Sequence, residues 1–102
     1  MKKLFISQPM RGLTDAEIMQ ARRKAKAEAE EILNENVEVL DSFFAQCDHE
    51  VNPLYYLGKA LMILSEADYA IFVEGWDKSR GCWHERNAYE DYGIPILKAC
   101  GR

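Results

Sequence analysis

The sequence predicts an α/β fold: a parallel four-stranded sheet in three layers, with helices on both faces. Two observations indicate it. Four short apolar runs alternate with three helical patterns, in the order β-α-β-α-β-α-β. The third run, residues 69–73, is almost continuously apolar, which is typical of a strand buried on both sides of a parallel sheet.

The first two strands flank a long helix. Residues 3–7 form a short apolar strand, and residues 37–40 form the second. Between them, Thr14 followed by Glu17 is a capping box that starts a helix. The apolar residues of this helix recur at spacings of three and four: Ile18, Ala21, Ala25, Ala29 and Ile32.

The second half of the chain continues the alternation. A loop over residues 45–52 precedes Pro53, a favoured first residue of a helix. The strand at 69–73, a Gly/Ser loop, a helix over about residues 80–92 and a last strand over residues 94–97 follow. The helix that starts at Pro53 has one leucine face: Leu54, Leu57, Leu61 and Leu64.

We expect one domain over residues 1–102, flavodoxin-like or Rossmann-like, with strand order 2-1-3-4. Such sheets bind ligands beyond the carboxyl ends of the strands, where the strand order reverses. Here that point lies beside strands one and three. The loops that leave these two strands are also the richest in glycine and polar residues, so topology and composition predict the same site.

Composition excludes several classes of protein. With 48% hydrophobic and 29% charged residues, the chain is typical of a soluble globular protein. It shows no membrane-spanning run or signal peptide, so we expect a cytoplasmic protein without membrane association. Three scattered cysteines argue against a disulfide framework and a zinc site. The basic residues at 22–26 alternate with glutamates on a helix, which favours a solvated face over polynucleotide binding.

The most informative stretch is residues 75–85, which joins the third strand to the last helix. Ser79 is a plausible N-cap, Gly81 follows it, and Glu85 lies just inside the helix. Free backbone N–H groups at such a helix start bind anions, which suggests a nucleotide or sugar phosphate beside a carboxylate. From position alone, an ordinary capped helix with a solvent-facing glutamate is about equally well supported.

Other candidates have similar alternatives. Arg11 follows the first strand and could grip a phosphate, or be a surface arginine. Asp41 could accept hydrogen bonds from a ribose or base, or start a turn. Trp76 could stack on a nucleobase, although core packing is commoner. Cys82 and His84 are two residues apart on a helix and point to different faces, so we expect no shared metal or catalytic pair.

Residues 5–13, 41–44 and 67–85 resemble the nucleoside 2-deoxyribosyltransferase superfamily. The match is to a small phage and prophage branch of deoxyribosyltransferase-like domains of unknown function. The resemblance implies that Glu85 attacks the anomeric carbon of a 2′-deoxynucleoside or its 5′-monophosphate. The covalent deoxyribosyl-enzyme then passes the sugar to water or to another base.

The resemblance also implies the remaining site residues. Ser79, six residues before Glu85, resembles the serine at the same spacing in relatives that hydrolyse deoxynucleoside 5′-monophosphates. Two positions depart from the active enzymes: Phe5 replaces a tyrosine that orients the nucleophile, and Ala60 replaces an aspartate. The candidate substrate-binding residues are Phe5, Ser7, Met10, Arg11, Gly12, Asp41, Gly75, Trp76, Ser79 and Gly81.

Two functions therefore stay open. The first is cleavage or transfer at the N-glycosidic bond of a 2′-deoxynucleotide or deoxynucleoside, with no metal or organic cofactor. The alternative is a nucleotide-binding or sensing module of phage origin with little or no turnover, for which Phe5 and Ala60 are the evidence. In either case we expect a homo-oligomer, with apolar surface offered by Tyr55, Tyr56, Tyr89 and Tyr92.

Overall fold

The computed structural model describes residues 1–42 and 52–99. These residues form a four-stranded, all-parallel sheet in the order β2-β1-β3-β4, which confirms the predicted α/β architecture and strand order. A 3₁₀ turn, Trp76–Lys78, precedes the last helix. The elements are β1 (Lys2–Ser7), α1 (Asp15–Leu33), β2 (Val37–Val39), α2 (Pro53–Leu64), β3 (Tyr69–Phe72), α3 (Arg80–Tyr92) and β4 (Ile96–Ala99).

Alternation along the strands divides the core between the two faces of the sheet. On β1, Leu4 and Ile6 pack with Ala25 and Ala29 of α1. Phe5, between them, faces the opposite side, where α2 and α3 pack. The cluster on that side comprises Phe5, Leu40, Ala60, Leu64, Ala70, Phe72, Trp76, Cys82 and Tyr89. The sheet therefore lies between α1 on one face and α2 with α3 on the other.

The predicted capping box starts α1. Thr14 accepts a hydrogen bond from the backbone N–H of Glu17, and Glu17 accepts one from the backbone N–H of Thr14. Asn34, with a φ of 55°, ends the helix. Ile32 was wrongly predicted as part of the apolar stripe. It is half exposed, because the buried face runs through Ile18, Arg22, Ala25 and Ala29 instead.

The prediction for Arg22 was also wrong. The alternation of basic residues and glutamates on this helix predicted a solvated side chain, but the structure buries it. Its guanidinium donates to Gln8 Oε1 at 2.8 Å, to Ser42 Oγ at 3.3 Å and to the Leu40 carbonyl at 2.9 Å. Gln8 in turn donates to the Ile18 carbonyl at 3.2 Å. Burial lowers the pKa of Arg22, and the negative charge of Asp41 opposes that shift. Arg22 thus joins α1 to the residues that follow β1 and β2.

Two other details differ from the sequence-based expectation. Leu54 is 68% exposed, because α2 turns Ala60 and Leu64 toward the sheet and leaves its first turn at a surface groove beside α3. The last strand begins at Ile96, two residues later than predicted. Ile94 donates its N–H to the Tyr89 carbonyl to close α3, and Pro95 has no N–H for the ladder.

The four tyrosines assigned to an oligomer surface are not all exposed. Tyr55 and Tyr92 are exposed, Tyr56 is half-buried, and Tyr89 is fully buried. Most of the predicted 45–52 loop, and residues 43 and 44 of the family resemblance, lie outside the described residues. No described helix combines the length and apolar character that crossing a membrane requires.

We predict that Arg22→Ala lowers the free energy of unfolding by about 3 kcal/mol, because it leaves the Gln8 and Ser42 side chains and the Leu40 carbonyl buried without their shared donor. The exposed neighbour Arg23 is the matched control, with an expected change within about 0.5 kcal/mol for Arg23→Ala. Urea unfolding followed by circular dichroism measures both. Equal losses in the two variants would contradict a structural role for the Arg22 cluster.

Candidate functional site

A turn at Gly75 leads from β3 toward the start of α3. Gly75 follows β3 with a φ of 92°, a backbone conformation that favours glycine, and a Cβ there would lie 3.5 Å from the Pro9 side chain. The 3₁₀ turn then leads to Ser79, the N-cap. Ser79 Oγ accepts from the N–H of Cys82 at 3.4 Å. The N–H groups of Arg80 and Gly81 precede the first hydrogen bond of the helix, from Trp83 to the Ser79 carbonyl, and donate to no other described residue.

A cavity of about 280 Å³ lies at this point, between the end of β1, α2 and the start of α3. It sits beside β1 and β3, at the place where the strand order reverses, as the topology predicts. Its described lining is mainly apolar with a few polar groups. The lining residues are Phe5, Ile6, Gln8, Met10, Ser42, Pro53, Tyr56, Leu57, Ala60, Ser79, Gly81, Cys82 and Glu85.

The structure brings five of the eleven predicted site residues together in the cavity wall. Those that line the cavity are Phe5, Met10, Ser79, Gly81 and Glu85. Ser7 lies behind them, buried, with its hydroxyl oxygen 2.7 Å from the Tyr89 hydroxyl. Those outside the described lining are Arg11, Gly12, Asp41, Gly75 and Trp76.

Glu85 is the only carboxylate among the described residues that line the cavity. Its side chain projects from α3 into the interior and is 9% exposed, so it is not the solvent-facing glutamate of the alternative interpretation. Burial raises the pKa of Glu85 to about 7, and the hydrogen bond from Ser7 opposes this shift. Near neutral pH the site therefore holds a carboxylate that is about half ionised and weakly solvated, which suits a nucleophile or a base.

Two residues beside Glu85 were not predicted as site residues. Tyr89 lies one turn later on the same face of α3, and its hydroxyl is 2.7 Å from Ser7 Oγ. Gln8 lines the cavity and is held by Arg22. The spacing of four between Glu85 and Tyr89 was a usable signal, since such residues share a helix face. The contact of Tyr89 with β1 was not readable from local pattern.

Burial also governs the chemistry of Cys82. It raises the pKa of the Cys82 thiol to about 12, while a hydrogen bond with Ser79 opposes the shift. The thiol is therefore protonated at neutral pH and is a poor nucleophile. His84 is exposed and lines a separate surface groove with Arg80 and Leu54. The two residues lie apart, as their spacing predicts.

Arg11 and Gly12 occupy a turn at the rim of the cavity. The N–H of Leu13 donates to the Met10 carbonyl at 3.2 Å, and Gly12 has a φ of 82°, as the third position of a type II turn requires. Met10 lines the cavity, and Arg11 follows it as an exposed residue at the tip of the turn. The guanidinium is thus one residue from the wall and is not itself part of it.

The other two predicted contacts lie elsewhere. Trp76 is fully buried in the core, with its ring 4.7 Å from the Phe72 ring and 4.9 Å from the Trp83 ring. This position corrects the expectation that Trp76 lines the base side, since the indole packs beneath α3 and away from the lining. Asp41 is exposed after β2, and the next residue, Ser42, is the one that reaches the cavity.

Among residues 1–42 and 52–99, no three His, Cys, Asp or Glu side chains are grouped so as to hold a metal ion. A family model described as a domain of unknown function, DUF4406, matches residues 2–98. Comparison with curated proteins and with solved structures gives no significant match.

The raised pKa of Glu85 predicts a stability that depends on pH. The folded protein holds this proton more tightly than the unfolded chain, so the free energy of unfolding falls as the pH rises from 4.5 to about 7. The total loss is about 3 kcal/mol. Glu85→Gln has no proton to lose, so it gains stability relative to the unmodified protein across this window.

Urea unfolding at several pH values between 4 and 8 measures the difference between Glu85→Gln and the unmodified protein. The matched control is Asp91→Asn, an exposed carboxyl on the same helix, whose difference we expect to stay constant with pH. A Glu85→Gln difference that is equally constant would show that burial does not raise the pKa of Glu85.

Proposed function

The chain belongs to the DUF4406 family of domains of unknown function, and we propose that it cleaves or transfers the N-glycosidic bond of a 2′-deoxynucleotide or deoxynucleoside. Glu85 is the nucleophile. The start of α3, with Ser79 and Gly81, holds the 5′-phosphate, and Arg11 supplies a cation from the rim. The resemblance to nucleoside 2-deoxyribosyltransferases supplies the substrate class and these roles, and the place of Glu85, Ser79 and Gly81 in the cavity wall supports them.

One observation carries the proposal: a single buried carboxylate faces the cavity, six residues after the N-cap of the helix. A carboxylate in an apolar wall loses solvation, which strengthens it as a nucleophile toward carbon. At 1.5 Å per residue, Glu85 lies about 9 Å along the helix axis from Ser79, and we place the sugar between a phosphate at Ser79 and the carboxylate. A ligand bound in this way presents its anomeric carbon to Glu85.

The phosphate contacts are supported by the groups that remain free at the start of α3. The Ser79 hydroxyl accepts from Cys82 and keeps its own proton to donate. The N–H groups of Arg80 and Gly81 point out of the first turn, at the positive end of the helix dipole. A 5′-phosphate on these donors lies close to the cavity wall that contains Glu85.

The proposed reaction has two displacements. The Glu85 carboxylate attacks C1′ of the deoxyribose while the C1′–N bond breaks, and the base leaves with the bonding electrons and takes a proton from water. Water or a second base then attacks C1′ and restores the carboxylate, and the proton it loses balances the first. Two inversions retain the configuration at C1′. The described lining offers no second carboxylate to protonate the base. Ala60, which is part of that lining, replaces the aspartate of the active enzymes that the chain resembles.

The lack of a second carboxylate in the described lining supports the second candidate function, a nucleotide-binding module with little turnover. Without an acid, the rate of a glycosidic cleavage falls by about 10²–10⁴. Phe5, also in the lining, adds no polar group. A module that binds nucleotides needs only the donors of α3 and the cavity, and these are the same in both proposals.

We predict that incubation with deoxynucleosides and their 5′-monophosphates, with and without a free acceptor base, yields free base or an exchanged nucleoside. Chromatography of the products measures this. Glu85→Gln should lower the rate by at least about 10³-fold, because an amide cannot form the glycosyl ester. Glu90→Gln, an exposed change on the same helix, is the control and should leave the rate unchanged.

Absence of any product across the panel, with nucleotide binding retained in both Glu85→Gln and the unmodified protein, would reject the enzyme and support the binding module. A rate in Glu85→Gln equal to that of the unmodified protein would show that another group is the nucleophile.

The phosphate contacts predict a selective effect on 5′-monophosphates. In a Glu85→Gln background, Ser79→Asp keeps an N-cap side chain but repels a dianion, and Arg11→Ala removes a cation. Each should weaken monophosphate binding about 10-fold, or about 1.4 kcal/mol, and leave deoxynucleoside binding unchanged. Titration calorimetry measures both ligands. Equal losses for the two ligands would argue against a phosphate site here, and Arg23→Ala controls for surface charge.

A further inference from the structure

Two polar side chains, Gln8 and Ser42, belong to the wall of the cavity that contains Glu85, and Arg22 holds both of them. Gln8 follows β1 and Ser42 follows β2, and the two are 7% and 4% exposed. The Arg22 guanidinium donates through Nη1 to Gln8 Oε1 at 2.8 Å and to Ser42 Oγ at 3.3 Å. The reaction proposed for Glu85 uses neither side chain.

The chemistry of the guanidinium fixes the direction of the hydrogen bond to Ser42. Arg22 has only N–H donors, so Ser42 Oγ must accept, and its own proton is left for another partner. No described residue accepts a hydrogen bond from the Ser42 hydroxyl. Ser42 is therefore a buried hydroxyl group in a cavity wall with a proton to donate, and buried donors in proteins are nearly always paired.

Gln8 differs from Ser42, because both polar atoms of its amide already have a partner. Its Oε1 accepts from Arg22, and its Nε2 donates to the Ile18 carbonyl at 3.2 Å. A rotation of the amide by half a turn would place N–H groups against the guanidinium and an oxygen against the carbonyl, so its orientation is fixed. Gln8 thus holds the guanidinium in place, and Ser42 is the member of the pair whose only proton has no described acceptor.

The backbone beside Ser42 is fixed as well. The Leu40 N–H donates to the Leu4 carbonyl at 2.9 Å and so continues the ladder of β2. The Leu40 carbonyl accepts from Arg22 Nη2 at 2.9 Å. Because the guanidinium contacts this segment at both Leu40 and Ser42, the Ser42 hydroxyl is oriented before any ligand binds, which lowers the entropy cost of binding.

The strand order indicates which part of a nucleotide lies near Ser42. Ser42 follows β2, the proposed phosphate site follows β3, and β1 lies between these two strands. Two strand spacings separate the two segments by about 10 Å across the sheet. A nucleotide with its phosphate at the start of α3 and its sugar at Glu85 therefore has the β2 side of the cavity left for its base.

We propose that Ser42 donates a hydrogen bond to the base of the bound nucleotide, and that Arg22 is the positioning residue that directs this proton. The acceptor is a ring nitrogen or a carbonyl oxygen of the base. A hydroxyl that accepts from a cation is polarised, so it is a stronger donor than a serine without such a partner. The inference rests on the proposed function, which places the phosphate at the start of α3 and the sugar at Glu85.

Binding measured without turnover tests the contact. In a Glu85→Gln background, titration calorimetry compares the deoxynucleoside 5′-monophosphate that binds most tightly with 2-deoxyribose 5-phosphate, which has the same sugar and phosphate and no base. Ser42→Ala should weaken binding of the nucleotide about 10-fold and leave binding of the sugar phosphate unchanged. Ser65→Ala, at an exposed serine after α2, is the control and should change neither.

Two results would overturn the base contact. An equal loss for the nucleotide and the sugar phosphate would place the Ser42 hydroxyl at the sugar or the phosphate. No loss for either ligand would show that its proton does not meet the ligand at all.

Arg22→Lys tests the positioning role, because lysine keeps the charge but lacks the planar fork that serves three partners. It should weaken nucleotide binding as Ser42→Ala does, leave sugar phosphate binding unchanged, and add no further loss in the double variant. A purely structural role would weaken both ligands together, and multiplying losses in the double variant would show that Arg22 does not act through Ser42. Circular dichroism checks that Arg22→Lys is folded, and Ser42→Ala tests the base contact without it.

The same measurements separate the base contact from the proposed reaction. Turnover in the unmodified protein, with nucleotide binding unaffected by Ser42→Ala, would overturn the base contact and leave the reaction standing. A selective loss of nucleotide binding in Ser42→Ala, in a protein without turnover, would reject the reaction and support the base contact in a binding module. Both proposals fail if no nucleotide binds.

Discussion

The level register of β1 and β3 brings together the two chain segments that carry most of the predicted site residues in the cavity wall. Ser7 stands opposite Phe72, so both strands end together and their following segments leave the sheet side by side. One segment gives Gln8 and the turn at Met10, and the other gives the 3₁₀ turn and the start of α3. Because the order reverses between these strands, the segments that follow them diverge, and a cavity remains there that α2 and the start of α3 also line.

Two buried ionisable groups, Arg22 and Glu85, flank this junction, and their burial affects stability in opposite ways. Arg22 has three partners for its guanidinium, so its burial stabilises the join between α1 and the sheet. Glu85 faces an apolar wall, and burial raises its pKa to about 7 even though hydrogen bonding with Ser7 opposes the rise. Groups that reduce stability in this way are common at functional sites, where the reactivity of a poorly solvated charge is used.

The elements were predictable because their signals are local. The capping box at Thr14, the Pro53 start of α2 and the apolar run of β3 each depend on a few neighbouring residues. The predicted site residues that line the cavity lie in two short stretches of the chain, Phe5 to Met10 and Ser79 to Glu85. Arg22 and Tyr89 were missed because their roles come from contacts 14 and 82 residues away in the chain. Trp76 was misplaced because a tryptophan beside a glycine loop suits a core as well as a binding wall.

The position of Glu85 bears on the choice between an enzyme and a binding module. A carboxylate near a phosphate site repels the ligand, and its burial costs about 3 kcal/mol when it ionises. The repulsion and the cost of ionisation both disfavour a module that only binds nucleotides. A glutamine side chain at this position would avoid both. Behind this carboxylate lie the buried hydroxyls of Ser7 and Tyr89, 2.7 Å apart. A charge that is unfavourable for folding and for binding, yet lies in the cavity wall, favours chemistry at Glu85 over binding alone.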